Sequence, residues 1–410
     1  MNRDWARLPT VASFNQRFSN LAYAGEAGDY MSVSFRNATL LLFVCAVALT
    51  LQAQRARDLG IPFRGEPGPL NAITDVEGVA VGHATLIEGE GSLIVGEGPV
   101  RTGVTAILPQ GLEYGPFFAA WASLNGNGEL TGTHWIEESG FLEEPILLTN
   151  THSVGAVADA SIKWRRARNY HDGEPGTHGW AALPVVGETW DGRLNDIHGG
   201  HVSEADVFAA LDSAKGGPVK EGNVGGGTGM VCHRFKGGIG TSSRVTENGY
   251  TVGVLVQANY GLREDLIIAG HPVGLEITDL MPEMSGLEPA QEGNSIMVII
   301  ATDAPLLSHQ LKRLANRATV GLARVGGYGA NSSGDLFLAF STHRPVSAED
   351  GTLSTSFLPN GSVTELFRAV AHATEEAIIN ALVAAETMTG INGNTIHALP
   401  HESIKSVFAR

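Results

Sequence analysis

An α/β fold with sheets lying between layers of helix is predicted by three features of this sequence. Several strand-like segments are apolar on both alternating faces, the run Ile296 to Ala301 among them, and such strands need cover on both sides. Short β-branched, glycine-punctuated segments are interspersed with stretches of helical periodicity. With 410 residues and 43% hydrophobic content, the chain can bury a sizeable core, in one large domain or two.

The elements follow in order. From Met31 the chain has a single charge, Arg36, then the apolar run Ala38 to Leu51, then "QAQRARD". That is the layout of a secretory signal cut after Ala53, which implies a periplasmic or secreted protein. A membrane anchor, for which the run is short, and a buried helix are the competing readings. Residues 1–30 carry Asp4, Glu26 and Asp29 and do not read as a signal start, so Met31 is the expected initiator. Cys45 lies in this segment, leaving Cys232 alone and no internal disulfide in the mature chain.

"NAITDVEGVAVGHATLIEG" and "TGVTAILPQG" read as strands, and "SEADVFAALDSA" as a helix capped by Ser203. A glycine-rich segment, 222–240, leads to the strand "YTVGVLVQANYG". After Asp303, Leu307, Leu311, Leu314, Ala318 and Leu322 fall at the spacing of one amphipathic helix. "DLFLAFST" is a further strand. The last helix opens on a capping box, Ser362 to Glu365, and is expected to run to about Met388. No internal repeat is present.

The formal charge of −16 removes nucleic acid from the partners, because phosphate backbones are bound by basic patches. Four groups compete to carry chemistry. The glycine cluster lacks the Gly-Lys-Ser/Thr ending of a phosphate loop, has Cys232 where a third fingerprint glycine would fall, and reads as tight packing. His198 and His201, with His178 nearby, could ligate zinc, but no Glu base lies between the pair and Gly199-Gly200 breaks a rigid helical spacing. Cys232 and His233 are sequence neighbours, which point apart on a strand or a helix, so Cys232 reads as a small buried hydrophobe.

The fourth group starts at "GNSIMVIIATDAPL". A hydroxyl at the head of a strand, after flexible Gly293-Asn294, stands where an N-terminal nucleophile would be if the chain were cut between Asn294 and Ser295. Ser295 could make that cut by attack on the preceding carbonyl, and the freed α-amine, with a pKa near ~8, could then accept the hydroxyl proton. In "NSSGD", Ser333 and Asp335 stand two apart at another strand head and face the same way. Both segments are also ordinary loop sequences.

The segments "NAITDVEGVAVGH", "GTHWIEESG", "TNTHSVG", "GETWDGRLNDIHG", "GGTGMVCHRFKGGIGTSSR", "VGVLVQANYG", the 293–326 stretch and "NSSGDLFLAFST" together resemble the DmpA-like family, in order over about residues 56–390. That family comprises L-aminopeptidase/D-alanyl-esterase-amidases and β-peptidyl aminopeptidases. The resemblance implies an αββα four-layer sandwich like that of N-terminal-nucleophile hydrolases, with different strand connections. It implies self-cleavage into an alpha chain, 54–294, and a beta chain, 295–410, which together form one domain, in a homo-oligomer, usually a homotetramer, of such heterodimers. By motif, Ser295 is nucleophile for cleavage and turnover, Ser333 relays its proton and Asp335 takes the carboxylate position, where relatives often have Glu. Asn259 matches the oxyanion donor and Glu188 the carboxylate that holds a substrate ammonium. Trp190 falls where some members have Tyr, and serves as a pocket wall or a donor.

The implied substrate is a small peptide or amide with a free N-terminal amine. The Asn before the nucleophile and the signal favour β-amino acids at that terminus, with L-residues and D-alanine amides or esters as the alternative. An inactive binding protein on the same fold is the reading from another class. No metal, no cofactor and no membrane contact of the mature form are expected.

Overall fold

Alternating apolar residues build two sheets, each covered on its outer face by helices. The computed structural model describes residues 54–113, 115–168, 183–286, 295–347 and 351–409; the expected signal, Asn294 and His178 lie outside them. In chain order the elements are β1 (Ala80–Glu88), β2 (Val100–Leu112), β3 (Phe117–Gly126), α1 (Thr133–Ser139), β4 (Phe141–Leu142), β5 (Ile146–Asn150), α2 (Val154–Arg168), β6 (Val185–Thr189) and α3 (Glu204–Asp212). There follow β7 (Val231–Cys232), β8 (Phe235–Lys236), β9 (Gly238–Val245), β10 (Thr251–Ala258), β11 (Ile296–Thr302), α4 (Ser308–Ala315), α5 (Ala318–Arg324), β12 (Gly334–Ser341) and α6 (Thr364–Ala384).

One sheet has the order β1-β2-β5-β6 and the other β4-β3-β12-β11-β10-β9. β11 shows why both faces had to be apolar. Met297, Ile299 and Ala301 meet Ile107 and Leu148 of the facing sheet in one cluster. Ile296, Val298 and Ile300 pack with Leu311, Leu314, Leu322, Val370 and Ile378 of α4, α5 and α6. Beyond the smaller sheet, Ala106 and Leu147 pack against Val157, Trp164, Val207 and Leu211 of α2 and α3. The architecture is therefore helix, sheet, sheet, helix, as expected.

The glycine cluster is a packing device. A Cβ at Gly226 would lie 2.6 Å from the Leu148 carbonyl, and one at Gly227 would lie 2.4 Å from the Ile239 amide. This turn is thus seated against β5 of one sheet and β9 of the other.

Ser203 precedes α3 as predicted, its amide donating to Asp206. Two helix expectations need correction. The periodic stretch after Asp303 is two helices, because the ladder tightens where Arg317 N–H turns back to the Leu314 carbonyl. Leu311, Leu314, Ala318 and Leu322 stay buried across that joint. The last helix starts at Thr364 with no side-chain cap, so Ser362 to Glu365 is not a working capping box; Glu365 instead accepts from Asn248. It ends at Ala384, since Asn223 takes up the main chain of Glu386 and Met388–Thr389 pairs with Thr395–Ile396.

Candidate active site

Strand pairing assembles the site. β10 runs antiparallel to β11 with Ala258 opposite Ile296, which puts the next residues, Asn259 and Ser295, side by side; Asn259 N–H donates to the Ser295 carbonyl at 3.2 Å. On the other side β11 runs parallel to β12, with Ile296 opposite Asp335. Two neighbours thus bring a side-chain amide and a carboxylate to the head of the strand that begins after Ser295.

Ser295 is buried, and its Oγ accepts the Gly334 main-chain N–H at 3.0 Å. Ser333 Oγ donates to Asp335 Oδ1 at 2.7 Å, as side chains two apart on a strand should. Burial pushes the Asp335 carboxyl up to about 6, against the lowering effect of that hydrogen bond.

Asn259 is fully buried and its orientation is determined by its partners. Val231 N–H donates to Oδ1 at 2.7 Å, and Nδ2 donates to the Trp190 carbonyl at 2.8 Å. A donor on one side and an acceptor on the other fix which end is the NH₂. An amide NH₂ carries two N–H groups, and the Trp190 carbonyl takes one of them.

Glu188, at the end of β6, accepts from Glu129 N–H at 3.0 Å and from the Thr151 hydroxyl. Burial raises its pKa, partly offset by these two donors. The Cβ position of Gly128 lies 3.2 Å from Glu188 Oε1 and 3.1 Å from Gly334 Cα, so the carboxylate and the peptide that holds Ser295 flank one point. A buried carboxylate beside a buried hydroxyl suits a substrate carrying an ammonium next to its scissile bond.

Trp190 joins the site through its main chain. The residue is 36% exposed, and its indole rests on Gly192 and lies 5.5 Å below the Arg193 guanidinium, the placing of a wall.

The competing groups have other partners. His201 is tied to Asp196 at 2.9 Å, and His198 stacks on His152. Among the described residues no cluster of three His, Cys, Asp or Glu side chains is set to hold a metal. Burial pushes the Cys232 thiol up to about 12 and His233 down to about 4, and His233 Nδ1 donates to the Leu262 carbonyl. That pair is packing.

The model of peptidase family S58 matches residues 71–396. The chain belongs to peptidase family S58. This S58 peptidase is 50% identical over 380 residues to the β-peptidyl aminopeptidase BapA of Sphingosinicella microcystinivorans, covering 89% of this chain and 94% of that one. Among solved structures it is similar to the L-aminopeptidase D-Ala-esterase/amidase of Ochrobactrum anthropi, described as a variant of the Ntn-hydrolase fold, with TM-score 0.79, 45% identity and 87% and 98% of the two chains covered. A Burkholderia sp. β-aminopeptidase gives TM-score 0.77 and 48% identity, with 87% and 98% covered. This S58 peptidase is an aminopeptidase of the N-terminal-nucleophile type, built on that fold.

Sequence reasoning missed three parts of the site: the Gly334 N–H, the Glu129 N–H and Thr151. Two are main-chain donors, invisible to a side-chain reading. Thr151 stood inside "TNTHSVG", where its spacing from Glu188 gave no sign that the parallel pairing of β5 with β6 sets Thr149 opposite Glu188.

Proposed function

We propose that this chain is a self-processing β-peptidyl aminopeptidase that cuts itself between Asn294 and Ser295 and then uses Ser295 as an N-terminal nucleophile. The observation that carries the reading is one strand head where Ser295 Oγ, the Gly334 N–H, the Ser333–Asp335 pair and the Asn259 amide converge.

In maturation, Ser295 Oγ attacks the Asn294 carbonyl carbon, its proton passes to the departing Ser295 nitrogen, and water hydrolyses the resulting ester. This leaves a carboxylate on Asn294 and a free amine on Ser295. In turnover that amine accepts the Ser295 hydroxyl proton as Oγ adds to the substrate carbonyl, and Ser333, oriented by Asp335, relays the proton from the resulting ammonium to the leaving amine, ending with its own hydroxyl intact. Asn259 Nδ2 stabilises the oxyanion, a contribution of about 10²–10³ in rate. Water then releases the N-terminal residue from Ser295. No cofactor takes part.

Glu188 holds the substrate ammonium. Blocking that amine, or Glu188→Gln, should raise KM at least ~100-fold, because an uncompensated buried charge costs about 3–5 kcal/mol. Unchanged KM for Glu188→Gln would remove it from the amine site. Ser295→Ala should abolish both self-cleavage and hydrolysis, and an active, uncut variant would overturn the assignment.

The preference for β-amino acids is supported by two curated relatives, at 50% and 48% identity, that carry the name β-peptidyl aminopeptidase. Release of L-residues and D-alanine is the second reading, supported by the Ochrobactrum anthropi enzyme at 45% identity. Comparing kcat/KM on β-alanyl, L-alanyl and D-alanyl anilides decides between them. Export through the 31–53 segment and assembly as a homo-oligomer of heterodimers complete the proposal, tested by fractionation and by mass in solution. No helix among the described residues is long and apolar enough to cross a membrane.

A further inference from the structure

A lysine is completely buried 23 residues before Asn259 in sequence and shares a peptide group with it. Lys236 Nζ donates to the carbonyls of Met230 at 2.7 Å, Gly237 at 2.9 Å and, more weakly, Gly227 at 3.4 Å. The Met230 carbonyl belongs to the same peptide unit as the Val231 N–H. That N–H is the donor on Asn259 Oδ1.

We propose that Lys236 is a positioning residue of the reaction, its ammonium gripping the Met230 carbonyl so that the Val231 N–H holds and polarises the Asn259 amide that faces the reacting carbonyl. The proposal rests on the oxyanion role given above to Asn259.

Three observations carry it. Three carbonyl acceptors call for three N–H donors, which an ammonium has and a neutral amine does not. Burial drives the Lys236 pKa down to about 7, against Cys232 and Asp191, which favour the charge. The carbonyl cage is thus the direct support for a cation in a fully dry place. Hydrogen bonds in series polarise one another, so a cation on the carbonyl oxygen strengthens the N–H of the same peptide as a donor. That draws electron density from the Asn259 carbonyl and makes its NH₂ a better donor to an oxyanion. The hairpin of β7 and β8 gives the geometry: Val231 pairs with Lys236, so the residue that holds Asn259 and the one that holds its peptide are cross-strand neighbours.

The effect belongs to the transition state, so it should fall on kcat and spare KM. The test is a double-mutant cycle on purified processed enzyme with one chromogenic anilide, reading kcat per Ser295-terminated chain, KM and thermal midpoint. Asn259→Ala should lower kcat about 100-fold. Lys236→Met should lower it about tenfold with KM within about twofold, a fraction of the full donor's worth. The double variant should match Asn259→Ala alone, because a residue acting only through Asn259 has nothing left to act on. A full further tenfold loss in the double variant would overturn the inference, as would Lys236→Met melting lower with kcat unchanged. If Asn259→Ala keeps its kcat, the oxyanion reading itself fails, an outcome the single variant reports separately. Should Lys236→Met not fold, Lys236→Gln, which keeps two donors without the charge, enters the same cycle. Failure of both to fold would make Lys236 a purely structural lysine and overturn the proposal.

Discussion

Asp335 is 1% exposed, its side chain's one hydrogen bond among the described residues is from Ser333, and its carboxyl is pushed up to about 6 by burial. The folded state therefore binds more protons than the unfolded one between about pH 4 and pH 6. The associated stability is fully present below pH 4 and is lost as pH rises through 6, roughly 3 kcal/mol for a shift of about two units. Asp335→Asn should melt higher than the wild type at pH 8, converge with it near pH 4, and be far less active. Melting curves at the two values check this, and no gain at pH 8 would contradict it. With Asp335 orienting Ser333 as proposed, wild-type turnover should show an acid limb near pH 6. Ser295, Ser333 and Asp335 were legible in sequence because a strand head and a period of two are local properties. The Gly334 N–H was not, since its role depends on how β12 aligns with β11.

At the scale of elements, the glycine turn at 225–227 is what lets two sheets share one core. A Cβ at Gly227 would meet only backbone, 2.4 Å from the Ile239 amide and 2.7 Å from the Gly238 carbonyl carbon, and neither can yield without disturbing β9. Gly227→Ala should cost about 3 kcal/mol, read as a lower denaturation midpoint with unchanged slope. An unchanged midpoint would show that the turn has room. The two strand heads were legible because their apolar runs are long and uninterrupted. The joint between α4 and α5 was not, because Asn316 and Arg317 are compatible with helix and only the local tightening of the ladder separates the two pieces. The missed boundary at Ala384 has a similar cause: Asn223, far away in sequence, supplies the competing partner for the chain.

For the whole molecule, the strand order shows how the proposed cut at 294/295 would leave one protein. β11 and β12, after the cut, lie between β3 and β10, before it. Seven residue pairs join β10 to β11, and α6 covers the sheet on which β9 and β10 lie. The ends are tied as well: Glu283 pairs with Thr395, and Ser285 donates to Asn394. The six-stranded sheet is complete in neither chain alone, so the processed protein should unfold in one transition and release its chains only on denaturation. The fold class was open to reading because two-faced apolar strands demand two covers. The interleaving was not, since strand order depends on contacts distant in sequence.

Denaturing intact-mass measurement on purified protein, with N-terminal sequencing of any fragments, tests the central claim most directly. The account predicts two chains, the smaller beginning Ser-Ile-Met, and a single uncut chain for Ser295→Ala. A wild-type protein that hydrolyses its substrate while remaining one chain would contradict it.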